Sequence, residues 1–245
     1  MPSTMWEVTN KIVLITGSSR GLGRALCIAF AQAGAKVIAF ARPSAELNKL
    51  EKDISGKGYP SLIVEGDVRN EENIAQAVEQ ALKHFGKIDV LINNASVLGP
   101  RVQIIEYPSE IWREVLDVNA TGAFLVTKAV LPTMLSHSTG SIINVSSSVG
   151  RHGRANWGAY AVSKFAIEGF TQVLADELQG TGVRVNSVNP GAMATEMRRQ
   201  AYPHEDQTKL PKPEEVLDIF FYLASDASRD INGQTFDAQA FRRNM

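Results

Sequence analysis

The chain has 245 residues, with 25 Lys and Arg against 26 Asp and Glu and 44% apolar residues, enough to bury one sizeable core. Near-zero net charge gives no electrostatic reason to expect nucleic acid or an anionic membrane as partner. The single cysteine, Cys27, cannot form an internal disulfide, and the four histidines are scattered without ligand spacing, so no metal site is expected. The N-terminal "MPSTMWEVTNK" lacks the pattern of an export signal, and the longest apolar runs are strand-sized; a cytoplasmic protein is expected.

In chain order, "KIVLIT" (11–16) reads as a buried strand, followed by Leu22, Leu26, Ala29, Phe30 and Ala33 at helical spacing. "KVIAFA" (36–41), "SLIVE" (61–65), "IDVLIN" (88–93), "SIINVSS" (141–147) and "VRVNSV" (183–188) predict further strands, and "GQTFD" (233–237) a last one. Helical patterns lie between them at 45–54, 71–85, 109–135 and 160–179. Strands that are apolar on both faces and alternate with helices predict one parallel sheet covered on both sides. The expectation for residues 1–245 is therefore a single α/β domain: a Rossmann-like, doubly wound sheet of about seven strands. Ligands of such sheets bind at the carboxyl ends of the strands, and the informative residues fall there.

After the first strand, "TGSSRGLGRA" opens the first helix. Gly17, Gly21 and Gly23 permit a tight turn and close backbone approach to a pyrophosphate, whose oxygens the free N–H groups of the helix would receive. At the end of the second strand an acidic residue would select NAD through the ribose hydroxyls; "AFARPS" has Ala41 and Arg42 there. Arginine suits a 2′-phosphate, and Arg20 in the loop adds a second positive charge, which favours NADP(H) over NAD(H). Each arginine alone would read as a solvated surface residue.

"TGSSRGLG", "NNAS" (93–96), "YAVSK" (160–164) and "NPGAMAT" (189–195), in this order and spacing, resemble the short-chain dehydrogenase/reductase family, and the likeness covers residues 10 to 238. The resemblance implies a catalytic set of Asn119, Ser147, Tyr160 and Lys164. Of three consecutive serines, Ser147 best fits the family pattern, thirteen residues before the tyrosine; Ser146 and Ser148 point to the opposite face. The resemblance also implies cofactor contacts from Gly17, Ser19, Arg20, Gly21 and Leu22 in the loop, from Arg42, and from Asp67 and Val68 at the adenine. Asn94 and Ala95 would line the adenosine side, Tyr160 and Lys164 the nicotinamide ribose, and Pro190, Gly191, Met193 and Thr195 the nicotinamide end.

The tyrosine and lysine stand at i and i+4 on a predicted helix and so share a face. A phenol near pKa 10 is a poor acid or base at neutral pH; a nearby ammonium, with an oxidised nicotinamide, is expected to lower it. A drop of roughly three units needs about 4 kcal/mol of differential interaction. Tyr160 would then donate a proton to a carbonyl oxygen as hydride reaches carbon, with Ser147 hydrogen-bonded to the oxyanion and Asn119 supporting a water-linked path to Lys164. Enoyl-reducing relatives have a longer Tyr-to-Lys spacing, so the i+4 spacing favours carbonyl and alcohol chemistry.

The expected activity is NADPH-dependent reduction of a ketone or 3-oxoacyl group to a secondary alcohol. The alternatives are an NAD-linked alcohol or diol dehydrogenase and, in another class, a non-catalytic dinucleotide-binding sensor, against which the intact catalytic set argues. Ser96 stands where the family usually has glycine and would narrow the cleft or add a hydroxyl. The segment 192–210 reads as a short substrate-covering loop. Val97, Leu98, Val149, Trp157, Met193 and Met197 are candidates to line the substrate pocket, with Ser147 and Tyr160. Arg151 or His152 would meet an anionic substrate group if the loop holding them is not simply solvated. The helices at 109–135 and 160–179 correspond to the family's subunit-pairing helices, so a homotetramer or homodimer is expected. The tail "DAQAFRRNM", with an exposed Phe241, differs from the common family ending and would alter subunit contacts.

Overall fold

The computed structural model describes residues 6–241. Seven strands form one parallel sheet in the order β3-β2-β1-β4-β5-β6-β7. They are β1 (Ile12–Thr16), β2 (Lys36–Ala41), β3 (Ser61–Glu65), β4 (Val90–Asn93), β5 (Gly140–Val145), β6 (Val183–Asn189) and β7 (Thr235–Asp237). Between them run α1 (Gly21–Gln32), α2 (Ala45–Ile54), α3 (Glu71–Phe85), α4 (Ser109–Leu116), α5 (Gly122–Ser136) and α6 (Gly158–Glu177). After β6 come α7 (Glu196–Ala201), α8 (Asp218–Ala224) and, after β7, α9 (Ala238–Phe241). The strands lie where apolar periodicity predicts them; α8 and the short α7 and α9 were not anticipated.

Alternation along β1 shows how the layers form. Val13 and Ile15 enter one buried cluster with Phe30 of α1, Leu47 and Leu50 of α2 and Phe220 and Phe221 of α8. Ile12 and Leu14 enter the other, with Ile74 of α3, Val126 and Val130 of α5 and Leu174 of α6. Phe30 and Phe221 stack at 4.4 Å between centroids, and full burial of each ring contributes about 1.5–3 kcal/mol. The run Ser109–Ser136 is long and apolar enough by length and composition to cross a membrane. Here it lies along the sheet, with Val118, Val126, Val130 and Met134 packed into the second layer, as the core helix of a globular domain does.

That run was predicted as one helix. It is interrupted by a π-helical turn at Asp117–Thr121, which carries the buried Asn119. A π turn inserts an extra residue and re-aims the side chains within it, a device often found at functional sites. Across the sheet centre, Asn93 donates to Thr127 Oγ1 and Asn144 Oδ1, both at 2.9 Å, and Asn144 donates to Thr171 Oγ1 at 2.9 Å. This buried polar ladder joins β4 and β5, where Asn93 and Asn144 pair in register, to α5 and α6. The expectation of an exposed Phe241 fails: the ring packs 5.4 Å from Tyr222 and 6.4 Å from Phe236, because α9 folds back on α8. Arg242 and Arg243 of the tail lie outside the described residues.

Candidate active site

The strand order reverses between β1 and β4, and a cavity of about 1000 Å³ opens at their carboxyl ends. One wall is the glycine loop. Gly17 has φ +66°, and a Cβ there would sit 2.7 Å from Ala95 Cα; a Cβ on Gly23 would sit 2.3 Å from Gly17 O. Only glycine lets loop, helix and β4 approach so closely. Thr16 fixes the junction by accepting from the N–H groups of Asn94 and Ala95, each at 3.0 Å. Asn94 closes it from the other side, donating to Thr16 O at 2.9 Å.

The N-terminus of α1, like those of α4, α5, α6 and α8, has no side-chain cap. Ser44 caps α2, Asn70 caps α3 and Thr195 caps α7 with side-chain oxygens. The uncapped end of α1 borders the cavity together with Ser19, Arg20, Gly21 and Leu22. Arg20 and Arg42 are exposed at the rim and form no ion pair among the described residues. Asp67 and Val68 also line this end. Arg69 grips Asp67 at 3.0 and 2.6 Å, and that hydrogen bonding holds its carboxyl below the usual carboxylate range. A glycine cradle that no Cβ could enter, an uncapped helix start and two unpaired arginines together fit a dinucleotide with an additional phosphate. Pro190, Gly191, Met193 and Thr195 border the same cavity further along.

Ser147, Tyr160 and Lys164 all line the cavity. Ser147 follows β5 in extended conformation and shares a hydrogen bond with the Tyr160 hydroxyl. Ser146, which is buried, and Ser148, which is exposed, border the same cavity on either side of Ser147. Tyr160 and Lys164 lie on one face of α6, both under a tenth exposed, with Lys164 Nζ 5.6 Å from the Tyr160 ring centre. Nζ donates to Val145 O at 2.8 Å.

The acidity of these groups departs from expectation. Burial pushes the Tyr160 phenol up to about 12, opposed only by the Ser147 hydrogen bond. Lys164 turns its ammonium to the Val145 carbonyl in the free protein. Burial pulls Lys164 down to about 8, with the charge of Glu168 opposing. In the free protein burial thus favours the protonated phenol; the expected lowering also calls on the positive charge of a bound oxidised nicotinamide.

Asn119, 1% exposed, does not line the cavity. Its side chain accepts from Val97 N at 2.8 Å and donates to Val97 O at 2.9 Å and Ser163 Oγ at 3.0 Å. It thereby pins the strip that carries the neighbouring wall. Ser96 lies on that strip with its hydroxyl buried and without a partner among the described residues.

Val97, Leu98, Val149, Trp157, Met193 and Met197 all border the cavity beside Tyr160. Tyr202, just past α7, also borders it and was missed. The Arg101 guanidinium lies 4.8 Å from the Trp157 ring and 4.5 Å from that of Tyr202, and donates to Ala201 O. Arg198 covers the Tyr202 ring at 3.9 Å and pairs with Glu205 at 2.6 Å. No local pattern announces the Arg101 contacts, since Arg101 stands a hundred positions before Ala201. Arg151 and His152 lie outside the cavity, Arg151 being engaged by Glu168 at 3.5 Å and Asp237 at 3.2 Å.

Comparison with known proteins identifies the family. An uncharacterized oxidoreductase of Escherichia coli, YciK, is 39% identical over 239 residues, covering 96% of this chain and 94% of that protein. A 3-oxoacyl-[acyl-carrier-protein] reductase of Synechocystis is 36% identical over 95% of this chain and 97% of its own length. The structure of a short chain dehydrogenase from Shigella flexneri complexed with NADP superposes with a TM-score of 0.91 at 39% identity, covering 96% of this chain and 99% of that one. With the family model for short chain dehydrogenases matching residues 11–206, these likenesses make the chain a member of the short-chain dehydrogenase/reductase family.

Proposed function

We propose that this oxidoreductase is an NADPH-dependent carbonyl reductase that converts a ketone or 3-oxoacyl group to a secondary alcohol. The observation that carries the reading is the convergence of Ser147, Tyr160 and Lys164 in the cavity that begins at the uncapped start of α1. The dinucleotide would lie with its pyrophosphate at Gly17–Leu22, its 2′-phosphate between Arg20 and Arg42, its adenine beside Asp67 and Val68, and its nicotinamide near Thr195. When bound, NADPH supplies the hydride that adds to the carbonyl carbon.

The chain's own residues supply the rest. Ser147 holds the carbonyl oxygen by a hydrogen bond and stabilises the negative charge that grows there. Tyr160, kept protonated by burial, gives its proton to that oxygen, so hydride and proton together complete the alcohol. The adjacent Lys164 ammonium offsets the charge left on the phenol. Asn119 keeps Val97 and its strip in place. The apolar wall from Leu98 to Tyr202 suits a carbonyl compound with an apolar body. NADP in the Shigella structure and the 3-oxoacyl substrate of the Synechocystis relative support both halves of the reading. A cytoplasmic setting suits the single, fully buried Cys27. Assembly into a homodimer or homotetramer through α5 and α6 suits their exposed Phe124, Val162, Phe165 and Val173.

The test is a spectrophotometric screen of ketones, diketones and 3-oxoacyl thioesters with NADPH and NADH, using wild type, Tyr160→Phe and Arg42→Ala. Tyr160→Phe should lower turnover by about 10²–10⁴-fold with NADPH binding retained. Arg42→Ala should weaken NADPH about tenfold and leave NADH unchanged. Full turnover in Tyr160→Phe would remove the mechanism; equal use of both cofactors by wild type would favour an NAD-linked alcohol dehydrogenase; binding without any turnover would favour a sensor.

A further inference from the structure

At the end of β6 the chain makes a short turn, residues 189–192, before it reaches Met193 and Thr195. All four turn residues border the large cavity. Asn189 and Gly191 also border a second cavity of about 430 Å³, together with Arg151, Asp237 and Gln239. The turn is therefore a wall shared by two spaces. Such a wall has few neighbours to pack against, and polar contacts must hold its shape.

Those contacts come from the end of the chain. Gln239 on α9 is half-buried and donates through Nε2 to Pro190 O at 3.3 Å and to Ala192 O at 2.8 Å. The two protons of one amide nitrogen thus hold the two carbonyls that flank Gly191. Gly191 has φ +78°, and a Cβ there would overlap the Gln239 carboxamide, so only glycine lets turn and side chain meet. Asn189 adds a second tie: it donates to Asp237 Oδ1 at 2.7 Å, and its own Oδ1 accepts from Gly191 N at 3.1 Å. α9 is itself anchored, with Ala238 buried and the Phe241 ring 5.4 Å from that of Tyr222 on α8.

The hold on Ala192 O reaches one atom pair further. Ala192 O and the Met193 N–H stand on opposite edges of one trans peptide, so a carbonyl turned to Gln239 turns that N–H away from it. Met193 is 9% exposed and borders the large cavity, and its N–H has no hydrogen-bond partner among the described residues. Gln239 itself does not border that cavity. We propose that Gln239 is a positioning residue for the nicotinamide half of the dinucleotide, acting through the backbone of residues 190–193. The proposal rests on the reading that this turn lies at the nicotinamide end. It makes the C-terminal segment, which departs from the common family ending, part of what sets cofactor affinity.

The test is calorimetric titration of wild type, Gln239→Met and Gln239→Glu with NADP⁺ and with adenosine 2′,5′-bisphosphate, a ligand that lacks the nicotinamide half. Gln239→Met keeps the length of the side chain and loses both donors. It should weaken NADP⁺ about tenfold and leave the bisphosphate unchanged. Gln239→Glu sets a carboxylate against two carbonyl oxygens and should weaken NADP⁺ at least as much, again sparing the bisphosphate. Circular dichroism checks the fold, and Gln239→Glu decides alone if Gln239→Met does not fold. Unchanged NADP⁺ affinity overturns the proposal, and so does an equal loss of both ligands, which would mark a contact that serves the whole fold. If NADP⁺ weakens selectively but wild type reduces no carbonyl compound, the reductase reading fails and the positioning role stands.

Discussion

Lys164 shows how much one buried charge weighs. Its folded value of about 8 lies below the ordinary 10.5, so the folded state pays to hold the proton. Below pH 8 both folded and unfolded chains carry the charge and the penalty is complete. Between about 8 and 10.5 the folded chain releases the proton while the unfolded chain keeps it, so the penalty shrinks as pH rises. The difference corresponds to about 3 kcal/mol, of which the lost Val145 hydrogen bond would take back about 1 kcal/mol. Lys164→Met is therefore expected to be roughly 2 kcal/mol more stable than wild type at pH 7, with that advantage gone by about pH 10.5; urea unfolding across this range measures it. At this scale the sequence was informative about identity and poor about state. The i+4 spacing placed Tyr160 and Lys164 in one cleft. The phenol's high value was not legible, because it follows from how deeply α6 is covered rather than from which residue stands one turn away.

Among the elements, α7 is the one whose placement rests on distant side chains. Arg101 holds Trp157 and Tyr202 through its guanidinium faces and Ala201 through a hydrogen bond, joining the loop after β4 to the wall of the cleft. Two such contacts contribute about 1–2 kcal/mol. On the reductase reading, Arg101→Ala should raise KM for the carbonyl substrate about tenfold and lower the melting temperature by a few degrees, with NADPH affinity little changed; steady-state kinetics beside NADPH fluorescence titration separates the two. The inner strands β1, β2 and β4 were legible because burial on both faces leaves a nearly continuous apolar run in each. The break in the run at 109–135 was not, since Asp117–Thr121 keeps the composition of an ordinary helix and departs only in its backbone hydrogen bonding. The stack at Tyr202 was hidden for a related reason: a contact across a hundred positions leaves no spacing to read.

For the whole molecule, the outer faces of α5 and α6 stand out. Phe124 is 46% exposed, Phe165 47% and Val173 58%. A cluster of large apolar side chains on two adjacent helices suits a subunit interface. Phe165→Glu, which places a charge at its centre, should convert an oligomer to monomers with the fold retained; light scattering coupled to size-exclusion chromatography reads the mass, and circular dichroism the fold.

The strip from Asn94 to Val97 is clamped at one end by Thr16 and at the other by Asn119. It forms a shared floor under both halves of the cleft, braced from β1 on one side and from the π turn on the other. A floor fixed in this way cannot tilt to suit a new guest without disturbing the nucleotide next door. On the proposed reading, discrimination among carbonyl compounds therefore falls to the opposite side, where the side chains of Arg101 and Arg198 hold Ala201 and Tyr202.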